Sequence, residues 1–392
     1  MKFMPLSLIN TNFSFFEIKS ALSFMLNRRS LKIDDLDSII SEFFEDQNVA
    51  LFPKLRYGIQ ASFESFGLDN NLIGVPTFTC SVVPHAVVKS GNKIRYFDTN
   101  KNNLTTEIFD NDVDIGLVTP WYGSPLNSKT NSEVNTFGDY SHISFLENNL
   151  YNSKNHHITF FSTGIGKPIS SISGGIVAVN DKNVLTNIKK WRKDNDFGKL
   201  SNIEISELIL TLSGAFLNFL KMDALKIYAD NKGWLDFLRE PLDKISFGKY
   251  KNNYSKYSFG ILQSKIKSNN PDRNEVVNTW KSIFENTTIK VLNESDWSNS
   301  HLNLISDQRE KLIKSMYVNH KIQLKKGSDY LCHELDPYKN SSEKSSFDNA
   351  RFFKDNLVQI PIDLNFSEVE WLNKNKLEIK SNTIKHFINS SG

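Results

Sequence analysis

From about residue 50 onwards, strand-sized runs alternate with helical segments, and this alternation constrains the fold more than any other feature of the sequence. Residues 59–66 and 81–89 have helical spacing, and a glycine at position 91 supplies a stop after the second segment. The strand-sized runs are apolar and often β-branched, and they lie at residues 72–75, 93–97, 115–118, 157–161 and 175–179. Strands that alternate with helices favour a parallel sheet covered by helices. The sequence therefore predicts an α/β fold.

The chain has 392 residues, which is more than one hydrophobic core usually holds. A polar, turn-rich run at residues 250–257 ends a long stretch of helical spacing, so we place a domain boundary near residue 245. Residues 1–245 are predicted to form a large domain with a helical N-terminal segment. Residues 246–392 are predicted to form a smaller α+β domain, because a helical stretch at 273–285 is followed by strand-like runs at 290–292, 302–305 and 357–362.

Composition and charge exclude several classes of protein. Hydrophobic residues make up 39% of the chain, and 29 of its residues are Phe, so it can build a large core and is not disordered. The 47 Lys and Arg residues nearly balance 44 Asp and Glu, and a net charge of +3 is far from that of a nucleic-acid-binding protein. We therefore expect a small-molecule partner and no nucleic acid.

The number of cysteines and the hydropathy of the sequence indicate the cellular compartment of the protein. The two cysteines, Cys80 and Cys332, cannot form a disulfide framework, which fits a reducing cytoplasm. The N-terminal segment lacks the apolar run of a signal peptide. Residues 208–220 are the most apolar later stretch, but they are interrupted by polar residues and too short to cross a bilayer. We therefore expect a cytoplasmic protein without membrane insertion.

The most chemically suggestive segment is the small-residue loop around Lys167. It is not a P-loop, because Phe161 stands where the first glycine would be and Pro168 follows the lysine. It also lacks the Gly-x-Ser-x-Gly pattern of serine hydrolases. A lysine among glycines at a strand end can be partly desolvated, which lowers its pKa for Schiff-base chemistry. On spacing alone, a solvated loop lysine is the alternative.

Other candidate groups follow strands upstream of this loop. Asp139 is predicted to end a strand, with His142 three residues further on, although alone each is more typical of a cap or a structural histidine. Cys80 and the segment 121–123 end two more strands, where ordinary turn chemistry is the alternative. The remaining histidines, including His301, show no zinc-ligand spacing, so we predict no metal site and assign them structural roles.

Taken in order and spacing, these segments resemble the DegT/StrS family of pyridoxal-phosphate-dependent sugar aminotransferases over roughly residues 45–370. Ser162 stands five residues before Lys167, and Gly174-Gly175 close the same loop. The other matching segments are residues 75–80, 86–91, 96–98, 122–123, 139–142, 346–350 and 357–361. The resemblance implies the aspartate aminotransferase fold, with a three-layer α/β/α large domain around a mainly parallel sheet and a smaller C-terminal α+β domain.

The resemblance also implies a role for each matching residue. Lys167 would carry pyridoxal 5'-phosphate and move a proton between substrate and cofactor. Asp139 would pair with the pyridine nitrogen and favour the protonated ring, which is the electron sink of the reaction. His142 would contact the cofactor near its phenolate oxygen.

Phosphate and ring contacts are also implied, with two departures from the family pattern. Ser162, together with backbone amides at Gly58 and Ile59, where a helix is expected to start, would bind the phosphate. Ile59 stands where the family usually has a hydroxyl residue. Cys80 stands where many members have an aromatic that stacks on the pyridine ring.

The implied activity is transfer of an amino group, from glutamate, to a nucleotide-linked keto-sugar in amino-sugar and surface polysaccharide biosynthesis. The implied assembly is a homodimer with shared sites, whose contact surfaces would be the helical N-terminal segment and residues 208–220. Two alternatives remain open. Relatives with histidine in place of the lysine deoxygenate sugars, which Lys167 disfavours. A non-catalytic binding or assembly subunit is the other, suggested by Ile59 and Cys80.

Overall fold

The structure is a computed structural model. It describes residues 6, 13–27, 30–44, 48–106, 112–126, 134–147, 156–205, 207–209, 211–212, 253–268, 272–294, 297–298, 300–338 and 346–387. Two helices, α1 (Phe15–Asn27) and α2 (Ile33–Ser41), precede the first strand. Acidic residues occupy the first turn of α2, where their charge is favourable at the helix N-terminus.

The larger sheet has seven strands among the described residues, and it confirms the predicted, mainly parallel α/β fold. The strands are β1 (Asn48–Phe52), β2 (Leu72–Pro76), β3 (Lys93–Phe97), β4 (Ile115–Val118), β5 (Asn135–Asp139), β6 (Ile158–Ser162) and β7 (Gly175–Val179). Their order in the sheet is β1-β7-β6-β5-β4-β2-β3. Strands β2 to β6 run parallel, whereas β7 runs antiparallel to both of its neighbours.

Helices cover both faces of this sheet, because its buried strands are apolar on both sides. Helices α3 (Leu55–Ser65), α4 (Val82–Lys89) and α5 (Lys182–Asp194) cover one face, towards which Val177 and Val179 point. The alternating residues Ile176 and Ala178 point to the other face and pack with α2 and with α6 (Lys256–Lys267). This arrangement is the predicted three-layer fold.

A second, antiparallel sheet contains four short strands from the C-terminal part of the described chain. These are β10 (Lys290–Val291), β11 (Leu302–Ile305), β12 (Lys325–Lys326) and β13 (Leu357–Ile360), in the order β10-β11-β13-β12. Helices α7 (Arg273–Phe284), α8 (Arg309–His320) and α10 (Phe366–His386) pack on one of its faces, and α9 (Asp348–Asn356) precedes β13. Strands β8 (Leu200–Ser201) and β9 (Tyr254–Ser255) form a separate pair.

The domain boundary predicted near residue 245 lies outside the described residues. Helix α6 follows that boundary, yet its Phe259 and Leu262 share a core with β1 and β7 of the larger sheet. The separate core of the second sheet includes Val276 and Trp280 of α7.

Within the described residues, no helix is both long enough and apolar enough to cross a membrane.

Candidate functional site

The candidate site lies where the parallel strands of the larger sheet end. Asp139 is the last residue of β5 and pairs with Phe160 of β6, and Ser162 is the last residue of β6. A short turn at Trp121–Gly123 follows β4. The carboxyl ends of parallel strands meet at one edge of a sheet, which is where α/β proteins bind ligands.

The loop that carries Lys167 is fixed by hydrogen bonds across its base. The backbone N–H of Thr163 donates to the carbonyl of Gly174 over 3.1 Å, and that of Ser171 donates to the carbonyl of Thr163 over 2.7 Å. Gly174 has a φ of 139°, and a Cβ at this position would lie 2.3 Å from Oγ1 of Thr163. The loop therefore needs glycine here, and its closed base holds Lys167 in place.

Lys167 points into the protein. Its Nζ lies 3.0 Å from Nε2 of His142, and its amine end is buried although the residue keeps some exposed surface. Burial lowers the pKa of Lys167, and the negative charge of Asp139 opposes that shift. The solvated loop lysine, which spacing alone allowed, is therefore not what the structure contains.

Asp139 is a buried carboxylate, and Ser141 binds one of its two oxygens. Its Oδ1 accepts hydrogen bonds from the backbone N–H of Ser141 over 3.1 Å and from the hydroxyl of Ser141 over 2.5 Å. Burial raises the pKa of Asp139, while the two bonds from Ser141 and the charge of Lys167 lower it. The geometry fixes the orientation of the carboxylate.

His142 is enclosed by aromatic rings. The centroid of its ring lies 4.4 Å from that of Trp121 and 5.0 Å from that of Tyr122. Nζ of Lys167 lies at hydrogen-bond distance from Nε2, and the other ring nitrogen, the buried Nδ1, has no partner among the described residues. Burial holds the pKa of His142 well below its usual value, so the ring is neutral.

His301, to which the sequence analysis assigned a structural role, lies in the same cluster as His142. Its ring centroid lies 5.0 Å from that of His142, and burial lowers the pKa of His301 to about 3. The adjacent Ser300 donates a hydrogen bond to the carbonyl of His142. No metal-ligand spacing marks this residue, and only the contact between the two sheets reveals its position.

The helix expected to start at Gly58 begins at Leu55 instead. Gly58 and Ile59 lie inside α3, where an N–H group bonds to the carbonyl four residues earlier, so they are not at the helix start. A Cβ on Gly58 would lie 2.5 Å from Cγ2 of Val177, so this glycine permits close packing on the sheet. The prediction that the helix starts at Gly58 is therefore wrong.

Ser162 and Cys80 both remain near the site as half-buried residues. The hydroxyl of Ser162 accepts a long hydrogen bond of 3.4 Å from the N–H of Gly164. The backbone next to Cys80 is anchored to the C-terminal part of the chain, because the thiol of Cys332 donates a hydrogen bond to the carbonyl of Thr79 over 3.2 Å.

A cavity of about 220 Å³ adjoins Lys167 between the two sheets. The first part of the chain contributes Trp121, Tyr122, His142 and the loop around Lys167. The C-terminal part contributes residues that the sequence did not place at the site, namely Arg273, Ser300, His301, Lys325, Gln359, Ile360, Ile362 and Asp363. The buried amine of Lys167 and the neutral imidazole of His142 both line this cavity, and such groups suit proton transfer on a small ligand.

Neither a protein-family model nor a curated protein matches this sequence. Solved structures do match the fold. The S. venezuelae protein DesV, in complex with a ketimine intermediate, has a TM-score of 0.69 at 12% identity, over 96% of this chain and 98% of that one. NtdA from Bacillus subtilis, with bound cofactor PMP, has a TM-score of 0.70 at 11% identity, over 97% of this chain and 86% of that one.

Helicobacter pylori PseC, an aminotransferase involved in the biosynthesis of pseudoaminic acid, has a TM-score of 0.67 at 14% identity, over 96% of this chain and 100% of that one. The structural neighbours thus include DegT/DnrJ/EryC1/StrS-type aminotransferases and related PLP-dependent dehydratases. At such identities the likeness establishes the fold. The chain has the fold of the PLP-dependent sugar aminotransferases.

Proposed function

We propose that this protein is a pyridoxal-phosphate-dependent aminotransferase whose amino-group acceptor is a nucleotide-linked keto-sugar. The observation that carries the proposal is the buried contact of 3.0 Å between Nζ of Lys167 and Nε2 of His142, beside the buried carboxylate of Asp139. Three chemically distinct groups of this kind are rarely buried together without a ligand to serve.

The residues present fit the proposed cofactor. Lys167 offers an amine, Asp139 offers a carboxylate for a protonated ring nitrogen, and His142 offers Nδ1, a buried atom without a partner in the described chain. When bound, pyridoxal phosphate supplies an electron sink for negative charge at the reacting carbon. Metal ligation has no comparable support, since the described residues hold no group of three or more suitable His, Cys, Asp or Glu side chains.

Lys167 would hold the cofactor and then carry the proton. Burial lowers its pKa, which favours the neutral amine needed to attack a carbonyl carbon and to accept a proton. The short contact with His142 orients Nζ, and the hydrogen bonds at the base of the loop restrict its movement. A fixed amine of this kind lowers the entropic cost of the transfer step.

Asp139 would stabilise the protonated ring nitrogen. Ser141 holds Oδ1 through two hydrogen bonds, so the carboxylate cannot rotate freely. In a buried environment the attraction between carboxylate and cation is strong, and it favours the protonated form of the ring.

We place the phosphate at the first turn of α3 and Ser162 rather than at Gly58 and Ile59. A backbone bridge joins Lys54 to Gly174, so the start of α3 lies against the closing glycines of the lysine loop. The first N–H groups of a helix lack acceptors within the helix, and they favour an anion.

The presence of Lys167 favours amino transfer over sugar deoxygenation, and the enclosure of its amine favours an enzyme over a non-catalytic subunit. Glutamate as donor and a homodimer with shared sites complete the proposal. The cavity between the sheets lies directly beside Lys167, where the amino-acid donor would react.

The proposal is tested by the absorption spectrum of the purified protein after pyridoxal phosphate is added and the excess removed. We expect the wild type to keep the cofactor band and to change it when glutamate is added. Lys167→Ala should lose this response, whereas the exposed lysine variant Lys190→Ala should behave like the wild type. A Lys167→Ala protein with the wild-type response would refute the assignment.

A further inference from the structure

Glu207 belongs to a helical segment whose polarity is the reverse of that of a usual surface helix. The described residues of this segment, which we call the Glu207 segment, are 205, 207–209 and 211–212. Ile209 is 58% exposed, whereas Glu207 is 2% and Thr211 is 5% exposed. Surface helices normally bury their apolar side and expose their charged side. The segment therefore places a carboxyl group in the interior, where such groups are rare unless they have partners.

The carboxyl group of Glu207 is bonded to the end of the loop that carries Lys167. The hydroxyl of Ser173 donates a hydrogen bond to Oε1 of Glu207 over 2.7 Å, although the two residues are 34 positions apart in the sequence. The backbone N–H of Glu204 lies 3.5 Å from Oε2. Ser173 stands directly before Gly174, which closes the loop. The bond therefore joins the Glu207 segment to the base of the loop.

Ser173 is also held by helix α6 and by the other end of the loop. Its backbone N–H donates to Oγ of Ser258 over 3.0 Å, and that hydroxyl donates to the carbonyl of Ser173 over 2.9 Å. The hydroxyl of Ser171 lies 2.7 Å from the same carbonyl and 2.8 Å from the carbonyl of Thr163. Ser173 is thus the point at which α6, the Glu207 segment and both ends of the loop meet.

Hydrogen bonds offset the cost of burying the carboxyl group of Glu207. Burial raises the pKa of Glu207, while the hydrogen bonds from Ser255 and Ser173 lower it and the like charge of Glu204 raises it. A buried polar group without hydrogen bonds costs free energy. Because the groups that act on Glu207 are hydrogen-bond donors and a like charge, a neutral amide with an acceptor oxygen can take its place.

The loop packs on the same helix through two apolar side chains. Ile172 lies in an apolar cluster with Tyr257 of α6, and Ile165 packs against this cluster. These two isoleucines stand on either side of Lys167 in the sequence. The position of the loop against α6 therefore decides how deeply the amine of Lys167 is buried.

We propose that Glu207 is a positioning residue for Lys167, which acts by holding Ser173 and thereby keeping the loop against α6. The inference deepens the proposed function and rests on it for the use that is made of the amine. The placement of the amine itself needs no cofactor, so it can be measured in the full-length protein after any bound cofactor is removed.

Competitive labelling of amines with acetic anhydride, followed by peptide mapping, tests this proposal. Acetic anhydride reacts with the neutral amine, so the pH dependence of labelling gives the pKa of Lys167. We expect Glu207→Leu and Ser173→Ala to raise that pKa by at least about half a pH unit, because a looser loop lets water solvate the charged amine. Glu207→Gln should keep the wild-type value, since its amide oxygen also accepts the hydroxyl of Ser173.

Glu204→Leu is the matched control, because Glu204 lies near Glu207 but contacts it through the backbone N–H. This variant should leave the pKa of Lys167 unchanged. Urea denaturation of each variant shows that it is folded under the labelling conditions. A purely structural role of Glu207 would lower the free energy of unfolding and leave the pKa of Lys167 in the folded protein unchanged.

The proposal is overturned if the pKa of Lys167 is the same in the wild type, Glu207→Leu and Ser173→Ala. It is also overturned if Glu207→Gln behaves like Glu207→Leu, or if Glu204→Leu raises the pKa equally. If Glu207→Leu does not fold, Ser173→Ala and Glu207→Gln decide the outcome.

Labelling of the same preparations with pyridoxal phosphate separates this proposal from the proposed function. Cofactor on Lys167 without the expected change of its pKa in the variants refutes the positioning role alone. The expected change of pKa without cofactor on Lys167 refutes the proposed function alone.

Discussion

At the scale of single residues, the candidate site contains three side chains whose pKa values are shifted by burial. Lys167 and His142 are both shifted towards their neutral forms by burial, and they contact each other over 3.0 Å. Asp139 is held by Ser141. In the proposed function, this arrangement would separate the group that moves a proton from the group that stabilises charge.

The substitution Asp139→Asn tests that separation. The amide keeps the shape of the side chain but not the charge that favours a protonated ring nitrogen, so we expect retained cofactor and at least about a hundredfold lower turnover, or about 3 kcal/mol. Absorbance reports cofactor binding, and single-turnover kinetics with glutamate report the chemistry. Turnover at the wild-type rate would mean that Asp139 does not act on the cofactor.

His156 lets the effect of burial be measured away from the site. Its Nδ1 contacts the hydroxyl of Thr136 over 2.7 Å, its Nε2 contacts the hydroxyl of Tyr140 over 2.8 Å, and burial lowers the pKa of His156 from 6.5 to about 4. Between these pH values the unfolded chain binds a proton that the folded chain excludes. Folding stability is therefore lost as pH falls from 6.5 to 4, by up to about 1.4 kcal/mol per pH unit.

We expect His156→Gln to reduce this pH dependence, because glutamine does not titrate. Urea denaturation of both proteins at pH 6.5, 5.5 and 4.5, chosen to span the shift, gives the comparison. An unchanged slope between wild type and variant would contradict the assigned shift of the pKa.

At the scale of elements, α5 is joined to α2 and β1 by a buried ion pair. Arg192 is 2% exposed and Asp37 is 1% exposed, with 2.9 Å between Nη2 and Oδ2. The same Asp37 accepts the backbone N–H of Leu51 over 2.8 Å, and Nη1 of Arg192 donates to the carbonyl of Leu51 over 2.9 Å. The pair therefore also satisfies the backbone N–H and carbonyl groups of Leu51 in β1.

We expect Arg192→Ala to lower the free energy of unfolding by about 3–5 kcal/mol, because it leaves a buried carboxylate without its main partner. The control Lys190→Ala changes an exposed cation on the same helix and should stay within about 0.5 kcal/mol of the wild type. Urea denaturation followed by circular dichroism measures both. Equal stability of the two variants would show that the ion pair contributes little.

Elements with strong local patterns could be predicted from the sequence. The predicted bounds of β3, β4, β7 and β11 match the structure, because each is a short apolar run bounded by turn residues. The start of α3 was missed, because Gly58 suggested a helix start while its actual role is close packing on Val177. A packing requirement across the sheet leaves no local signal in the sequence.

At the scale of the whole molecule, the site is closed by residues distant in the sequence. The resemblance to a known family, rather than spacing alone, led to Asp139, His142 and Ser162, and the structure places them at or just after the ends of the neighbouring strands β5 and β6. His301 and Gln359 could not be found in this way, because their position depends on how the second sheet packs against the first. Hydrophobic periodicity in the sequence predicts a single helix or strand, but it does not predict how that element is oriented against the rest of the molecule.

The homodimer stays a prediction, and α1 offers a surface for it. This helix exposes Phe15, Phe16, Leu22 and Leu26, and the described part of the other predicted contact stretch exposes Leu208, Ile209 and Leu212. Residues 210 and 213–220 of the predicted contact stretch lie outside the described residues. Interfaces of obligate dimers commonly bury about 2,000 Å² or more and are apolar, which this face could provide.

We expect light scattering at micromolar concentration to give twice the chain mass of 44.9 kDa. The double substitution Leu22→Glu and Leu26→Glu should shift the protein towards monomer, because charge on an apolar interface is costly. Leu377→Glu is the control, since Leu377 is 80% exposed on α10. A double variant that remains dimeric would remove α1 from the proposed interface.

The central claim is that Lys167 carries the cofactor, and the site of covalent labelling tests it most directly. After pyridoxal phosphate is added, borohydride reduces the double bond between the aldehyde carbon of the cofactor and the lysine nitrogen that holds it to a stable single bond, and peptide mapping then identifies the lysine. We expect the label on Lys167, whose amine is enclosed beside His142 and Asp139. A label on another lysine, or no label at all, would contradict the assignment of this site.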